Sequence, residues 1–152
     1  MKLSLLPLAV AAASLARAQL SGRVGPTTTR DAKAAKKVCN ILQYGGVAST
    51  STDNGPAIAK AWDACKAGGQ VLVPAGSYGI GTWVALSGGR GVSINLEGVL
   101  YRMTSGTAGG NMIAISNSDD VELYSANSKG AIQGYGYQFL KGGFQSLSLA
   151  SP

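Results

Sequence analysis

The feature that most constrains the fold is a series of short β-rich segments that begins after Gly69. Each segment is three to five residues long, is rich in β-branched side chains, and is bounded by glycine or polar turn residues. Short strands that succeed one another so closely predict an all-β fold, which could be a sandwich, a barrel or a β-solenoid. The seven predicted strands are residues 70–73, 82–86, 92–96, 99–102, 112–115, 121–124 and 131–133.

The spacing of three isoleucines favours the solenoid. Ile94, Ile113 and Ile132 recur at intervals of 19 residues (113 − 94 and 132 − 113), with a second β-rich run inside each interval. A coil of two strands that returns after 19 residues would stack these side chains into one continuous core. No Asn-Gly or Asp-Gly pair links two of the runs, which weakens the antiparallel alternatives.

One helix is predicted ahead of these strands, over about residues 55–67. Pro56 suits the first helical turn, and a glycine pair suits the helix end. Ile58, Trp62 and Cys65 would lie on one face of this helix. Trp62 is therefore interpreted as a core residue and not as a platform for a sugar ring.

The N-terminal residues indicate secretion. Lys2 precedes an apolar run over residues 3–13, and the segment ends in Ala16-Arg17-Ala18. This order is typical of a secretory signal peptide and less so of a buried N-terminal helix, and the run is too short to cross a bilayer about 30 Å thick. We expect residues 1–18 to be a signal peptide cleaved after Ala18, and the mature protein to be extracellular without a membrane anchor.

A basic segment comes after the expected cleavage site. The sequence has 13 Lys and Arg against 7 Asp and Glu, for a formal net charge of +6. Few aromatic residues accompany the cations, so nucleic acid binding is not indicated. We predict an extended, solvated basic arm over residues 19–38 and a first strand over residues 39–44. Most of the positive charge of the arm lies in Arg30, Lys33, Lys36 and Lys37.

The chain has two cysteines, Cys39 and Cys65. In an extracellular protein an even number of cysteines favours a disulfide, with two free thiols or two metal ligands as alternatives. A zinc site would lack ligands, because the sequence contains no histidine and no third cysteine. We predict a disulfide that spans 26 residues (65 − 39) and stabilises the fold by roughly 3–4 kcal/mol.

Several segments together resemble a family of enzymes. The opening segments, together with Asp53 and the predicted helix, are similar to the start of pectin-degrading β-helix enzymes. They are Cys39-Asn-Ile-Leu-Gln-Tyr-Gly-Gly-Val47 and Val71-Leu-Val-Pro-Ala-Gly-Ser-Tyr78. Later segments resemble fungal rhamnogalacturonases, of the polygalacturonase family (glycoside hydrolase family 28). These are Thr82-Trp-Val-Ala-Leu86, Leu96-Glu-Gly-Val-Leu-Tyr-Arg102, Gly110-Asn-Met-Ile-Ala-Ile115 and Lys129-Gly-Ala-Ile-Gln-Gly-Tyr-Gly136.

This resemblance, which covers about residues 19–137, implies a right-handed parallel β-helix. The first coils would lie in residues 39–137, and the helix would form a lid over unpaired strand edges and apolar core. A bridge between Cys39 and Cys65 that fastens this lid is also implied. The implied activity is hydrolysis, with inversion, of the galacturonic acid–rhamnose backbone of pectin. The implied partner is therefore a plant cell-wall polysaccharide.

The resemblance places the family's catalytic aspartates, histidine and basic residue beyond residue 137. An inverting glycosidase needs two carboxyl groups about 6.5–9.5 Å apart. Asp120 and Glu122 would share one strand face, with backbones roughly 6.6 Å apart. The same alternation sends Val121 and Leu123 into the core, so we interpret the two acids as a solvated face. We predict no catalytic residue, no metal ligand and no cofactor site in this chain.

The other polar and aromatic candidates are weaker. Asp53 is typical of a helix cap, and Asp63 of a helix surface. Four tyrosines are able to stack on pyranose rings, although surface tyrosines are more often packing residues. They are Tyr101, Tyr124, Tyr135 and Tyr137.

The sequence therefore predicts a secreted, monomeric fragment of a pectin-degrading hydrolase that is inactive by itself. Residues 138–152 are an atypical tail that resembles neither a further coil nor a closing cap, and solenoids need capping repeats. We interpret this as a premature end, with a genuine short secreted protein as the alternative. A non-catalytic pectin-binding module, a polysaccharide lyase on the same fold and a purely structural solenoid are the alternatives.

Overall fold

A computed structural model describes residues 26–104 and 110–136. These residues form two α-helices, one 3-10 helix and nine strands. Helix α1 is Arg30–Lys36, the 3-10 helix is Ile41–Tyr44, and helix α2 is Gly55–Cys65. The strands are β1 (Val38–Asn40), β2 (Gly69–Val73), β3 (Ser77–Ile80), β4 (Val84–Ser87), β5 (Arg90–Leu96), β6 (Val99–Arg102), β7 (Ile113–Ser116), β8 (Asp119–Tyr124) and β9 (Ala131–Gln133).

All strand pairs in the described part of the chain are parallel, and they form three sheets. The strand orders are β1-β2-β5-β8, β3-β6-β9 and β4-β7. Consecutive strands visit the three sheets in a fixed order: β2, β3 and β4, then β5, β6 and β7, then β8 and β9. The chain therefore makes successive coils, and each coil pairs with the one before it.

The coil predicted from the isoleucine spacing is wrong in both length and strand number. Ile94, Ile113 and Ile132 lie in β5, β7 and β9, one in each sheet, so they do not stack on one another. The register instead pairs Val71 with Ile94 and Ile94 with Leu123. Stacked residues are thus 23 and 29 positions apart (94 − 71 and 123 − 94), because the turns between sheets differ in length from coil to coil.

Aliphatic and aromatic side chains fill the inside of the coils. Val71, Tyr78 and Leu86 on β2, β3 and β4 are buried, and so are Ile94 and Leu100 in the next coil. The register pairs Val71 with Ile94 and Tyr78 with Leu100. A fully buried side chain of this size contributes about 1.5–3 kcal/mol, so the stacked interior is a main source of stability.

Helix α2 packs on the first coil, at the position predicted from the sequence. Its apolar face is also the predicted one, since Ile58, Trp62 and Cys65 are buried. The Trp62 indole Nε1 donates a hydrogen bond of 3.0 Å to the Ser87 carbonyl, which ties α2 to the end of β4. The predicted disulfide is present, and it joins α2 covalently to Cys39 on β1.

The extended arm predicted for residues 19–38 is wrong over Arg30–Lys36, which form helix α1. The Thr29 hydroxyl accepts a hydrogen bond of 3.2 Å from the Ala32 amide and so caps the helix. Helix α1 packs against β2 and β5, and Lys33 is buried and not solvated. The reason is that acidic partners for Lys33 lie on β8, far along the sequence.

Two strand predictions also need correction. The first strand, predicted for residues 39–44, ends at Asn40, whose side chain accepts a hydrogen bond of 3.0 Å from the Leu42 amide and starts the 3-10 helix. Strand β3 is missing from the prediction because Gly79 has the character of a strand breaker. Glycine is required there, since the Thr50 and Thr52 carbonyls would collide with any Cβ.

Some predictions fall on residues that the structure does not describe. These are the signal peptide (residues 1–18), Tyr137 and the tail (residues 138–152). Within residues 26–104 and 110–136, no helix is long and apolar enough to cross a lipid bilayer.

Candidate functional site

An open cleft of about 640 Å³ lies beside the sheet β3-β6-β9. It is lined by the end of β6, by the loop over residues 49–54 and by Tyr135, which comes after β9. The loop runs along β3, because Gly79 donates its amide to the Ser49 carbonyl at 2.9 Å and accepts from the Asn54 amide at 2.8 Å. Three sequence-distant segments therefore meet at one concave surface.

Two tyrosines from neighbouring coils stack in this cleft. The ring centroids of Tyr101 and Tyr135 are 6.3 Å apart, and the ring planes are inclined by 28°. Tyr135 has a φ of +52°, an uncommon conformation for a bulky residue. The Gln133 side chain supports this turn by accepting a hydrogen bond of 3.0 Å from the Tyr135 amide. Of the four tyrosines considered from the sequence, the structure brings these two together.

Arg102 adds a positive charge to the same cleft. Its guanidinium carbon lies 5.6 Å from the centre of the Trp83 ring, within the range of a cation–π interaction. Arg102 was not singled out from the sequence as a site residue. Two features of the sequence could have indicated it. Arg102 directly follows Tyr101 at the end of a predicted strand, and Trp83 lies just before β4.

The carboxylates of Asp120 and Glu122 lie at a different place, under helix α1. The Lys33 ammonium donates to Asp120 Oδ1 at 3.0 Å and to Glu122 Oε2 at 3.1 Å. Arg30 Nε donates to Glu122 Oε1 at 3.1 Å. The side chains of Lys33, Asp120 and Glu122 are 0%, 6% and 15% exposed. The interpretation of these acids as a solvated face is therefore wrong, because α1 covers them.

This environment does not suit acid–base catalysis. Burial by itself would raise the pKa of the Asp120 carboxyl, but hydrogen bonds from Thr28, Lys33 and Thr27 outweigh burial and hold the pKa well below its ordinary value. A general acid needs a raised pKa, and a general base needs an accessible lone pair. Within residues 26–104 and 110–136, no three His, Cys, Asp or Glu side chains are grouped to hold a metal ion. The ion pairs of Arg30 and Lys33 with Asp120 and Glu122 instead hold α1 against β8, and we call this cluster the latch.

Leu123 and Tyr124, on the same strand, have different surroundings. Leu123 lines the interior cavity together with Ile94 and Leu100, as predicted for a core position, but it is 50% exposed. The Tyr124 hydroxyl donates a hydrogen bond of 2.8 Å to Gln70 Oε1, and the Arg30 guanidinium lies 4.3 Å from its ring centre. Tyr124 is therefore a packing residue of the latch and lies apart from the cleft.

Asp53 fastens the loop that borders the cleft. Its carboxylate accepts hydrogen bonds from the amides of Gly55, Gly81 and Thr82 at 2.9–3.0 Å, and from the Thr82 hydroxyl at 2.6 Å. Burial favours a higher pKa for Asp53, but these hydrogen bonds prevail and lower the pKa. Asp53 was predicted as a helix cap, but the N-cap residue of α2 is Asn54. From the position before it, Asp53 binds the first amide of α2 and joins the helix to the turn after β3. Asp63 lies on the helix surface and pairs with Lys66 at 2.7 Å, also as predicted.

Parallel strands that visit three sheets in a fixed order, with a disulfide-bonded helix on the first coil, define a coiled all-β protein. No protein-family model matches the chain. Comparison with curated proteins is more informative. The chain is 55% identical over 126 residues to Rhamnogalacturonase A of Aspergillus aculeatus. It is 54% identical over 129 residues to Rhamnogalacturonase A of Aspergillus niger and 54% identical over 125 residues to Rhamnogalacturonase A of Emericella nidulans.

These alignments cover 83%, 85% and 82% of this chain. The chain spans about a quarter of the length of the relatives, at 28%, 28% and 24%. The resemblance to fungal rhamnogalacturonases, inferred from short motifs, is confirmed at the level of the whole aligned segment.

Proposed function

We propose that this chain forms the first coils of a right-handed parallel β-helix in a secreted hydrolase of the rhamnogalacturonan backbone of pectin. The observation that carries the proposal is the 55% identity to a rhamnogalacturonase over 126 residues. The repeated order of the three sheets supports the β-helix, because each coil repeats the path of the previous one. Helix α2 and its disulfide support its role as the lid of the first coil.

We assign the segment a structural role in the reaction. The carboxylate pair that comes nearest to the geometry of an inverting glycosidase, Asp120 and Glu122, is bound to Lys33 and Arg30. The sequence has no histidine to supply that part of the family's site. The chain by itself is therefore proposed to be inactive, and the catalytic groups are proposed to come from coils equivalent to those further along its relatives.

The test is a chimera in which the aligned residues of this chain replace their counterparts in Rhamnogalacturonase A of Aspergillus aculeatus. We expect the chimera to cleave rhamnogalacturonan and to release saturated oligosaccharides with new reducing ends. The unmodified relative is the positive control. The full chain alone should release none. A folded chimera without activity would contradict the proposal, because it would show that these coils do not support that site.

The nature of the products separates the rival enzyme class. A lyase forms an unsaturated sugar that absorbs ultraviolet light, whereas a hydrolase does not. Unsaturated products from the full chain would therefore replace the hydrolase proposal by the lyase. Reducing ends released by the full chain alone would contradict the structural role.

A non-catalytic polysaccharide-binding role is the second candidate. The observation that favours it is the cleft, where Tyr101 and Tyr135 stack next to the positive charge of Arg102. Binding of pectin by the full chain without turnover would support this role. It is compatible with the first proposal, because a segment of a hydrolase can also hold the polymer.

A further inference from the structure

We propose that the cleft lined by Tyr101, Arg102 and Tyr135 binds an acidic sugar residue, and that Arg102 selects for the sugar's carboxylate. The inference rests on the proposed function for the identity of the polymer. It does not require that the chain perform the reaction. It adds a ligand class and a specificity-determining residue to a surface of the described coils.

The aromatic pair supplies the apolar part of the site. Pyranose rings have faces of C–H groups, and tyrosine combines a flat apolar ring with a polar tip. Tyr101 is on the second coil and Tyr135 on the third, so their stacked rings extend along the axis on which the coils succeed one another. Tyr135 has an unusual φ of +52°, and such backbone strain concentrates at binding sites.

The loop over residues 49–54 supplies hydroxyl groups for the polar edge of a sugar. Thr50 and Ser51 line the cleft on this loop, and Thr104 lines it beyond β6. The loop is anchored on both sides, by backbone hydrogen bonds to Gly79 and by the Asp53 carboxylate. A loop fixed before binding loses less conformational freedom on binding. The cleft volume of about 640 Å³ is within the roughly 300–1,000 Å³ of small-ligand sites.

Charge sets the preference for an acid. Among the described residues that line the cleft, Arg102 is the charged one. A guanidinium presents a planar fork of donors that matches a carboxylate in a bidentate manner, and the Trp83 ring at 5.6 Å orients it. Asp53 lies next to the cleft, but its carboxylate already accepts four hydrogen bonds from the protein. Among the described residues, none that lines the cleft carries a carboxylate that would repel the carboxylate of a sugar.

The experiment measures binding of two probes to the full chain by isothermal titration calorimetry. One probe is an oligosaccharide of alternating galacturonate and rhamnose, and the other is the same oligosaccharide with its carboxyl groups reduced to alcohols. We expect the acidic probe to bind at least about tenfold more tightly, as one charge-assisted bidentate contact implies. Arg102→Gln should remove this preference and leave the weaker binding of the reduced probe unchanged.

Lys60→Gln is the matched control, because it removes one positive charge from the exposed surface of α2. It should leave both affinities unchanged, which would separate a local contact from general attraction by a cationic protein. Tyr101→Ala should weaken both probes about equally, and Tyr101→Phe should restore most of the affinity because the ring is kept. Circular dichroism of each variant identifies any loss of fold, and the conservative Tyr101→Phe and Arg102→Gln variants keep the test decisive if Tyr101→Ala unfolds.

The proposal is overturned if the wild-type chain binds neither probe, if it binds both equally, or if Arg102→Gln retains the preference for the acid. These outcomes are independent of the chimera. If the chimera is active but the cleft binds the acidic and the reduced probe equally, this proposal alone is overturned. An inactive chimera with a selective cleft would remove the hydrolase and leave a binding site for acidic saccharides.

Discussion

The first and third coils of this protein are held in place by different forces. On the first coil, α2 covers a core in which Trp62 and Ile58 are fully buried, and a disulfide fixes the helix. On the third coil the interior side chains Leu123 and Ile132 are 50% and 44% exposed. That coil is instead tied to the N-terminal segment by the latch of Lys33 with Asp120 and Glu122.

This difference arises from the architecture of stacked coils. Each coil provides half of the contact surface for the next, so an apolar interior is complete only where another element covers it. On the first coil a disulfide and a packed helix act in addition to the pairing with the second coil. The latch instead connects the third coil to α1, because it joins residues about 90 positions apart in sequence. The position of the third coil therefore depends on α1.

The largest expected effect comes from breaking the latch with Lys33→Ala. This change leaves two largely buried carboxylates without their shared cation, and such losses cost about 3–5 kcal/mol. The free energy of unfolding, measured by urea denaturation of the full chain, should fall by this amount. Hydrogen exchange should show that amides of β8 lose more protection than amides of β2.

Lys36→Ala is the control for the latch. The Lys36 ammonium lies on the same helix but donates to the Ala67 carbonyl at 3.0 Å and remains exposed. We expect a change of less than about 1 kcal/mol, since exposed charges contribute little. Equal effects of the two substitutions would contradict a specific role for Lys33 in holding the third coil.

The next expected effect comes from the first coil, with Cys39→Ser and Cys65→Ser combined. Loss of a disulfide that spans 26 residues should lower the free energy of unfolding by about 3–4 kcal/mol in the chain-entropy model. Here β1 and α2 should lose protection from hydrogen exchange first. If β8 and β9 lost protection equally, the two ends would unfold as one unit and the comparison between them would fail.

A direct comparison of the two ends uses a pair of side chains that stack on each other. Leu100 and Ile132 are register partners on β6 and β9, but Leu100 is 2% exposed and Ile132 is 44% exposed. Leu100→Ala should cost about 2–4 kcal/mol, because it leaves a cavity in a packed interior. Ile132→Ala should cost about 1 kcal/mol because its side chain is already half in water, and chemical denaturation of both variants gives the comparison. Similar costs would mean that Ile132 is covered in solution.

Local patterns allowed much of the fold to be predicted. The apolar face of α2 is evident in the spacing of Ile58, Trp62 and Cys65, and most strands are evident as short β-rich runs. The length of the coil could not be predicted, because stacking depends on turns whose lengths vary. Strand β3 was missed because Gly79 is required by a neighbouring loop, a tertiary reason that no local propensity contains.

The candidate site could be predicted from the sequence even less than the fold. The chemistry of Asp120 and Glu122 depends on Lys33, which is 87 and 89 residues away in sequence. Strand alternation assigned the two acids to solvent, and the interpretation of residues 19–38 as a solvated arm did the same for Lys33. The cleft brings Tyr101 and Tyr135 together from two coils, so only the strand register could show which of the candidate tyrosines are neighbours. Family resemblance supplied the architecture, but not these contacts.

The smallest expected effect sharpens the comparison through pH. The pKa of Asp120 is lower in the folded protein than its ordinary value of about 4, so the unfolded chain takes up this proton more readily. The stabilisation by Asp120 is therefore complete above about pH 4 and is lost as the pH falls further towards the lower, folded-state pKa. Asp53, whose pKa is also lowered, adds a dependence of the same sign near α2.

Asp120→Asn tests this dependence. The substitution keeps a side chain that tolerates the left-handed backbone of Asp120, with φ of +55°, but it removes the negative charge. We expect a loss of roughly 1–2 kcal/mol at neutral pH, from weakened charged hydrogen bonds. Below about pH 4 the difference between the variant and the wild type should shrink progressively, because the unfolded wild type takes up the Asp120 proton there, and it should vanish only below the lower, folded-state pKa. Urea denaturation over a pH series measures this. If the difference stayed constant down to the most acidic point, the latch would owe its strength to packing, and the third coil would be held by the same kind of force as the first.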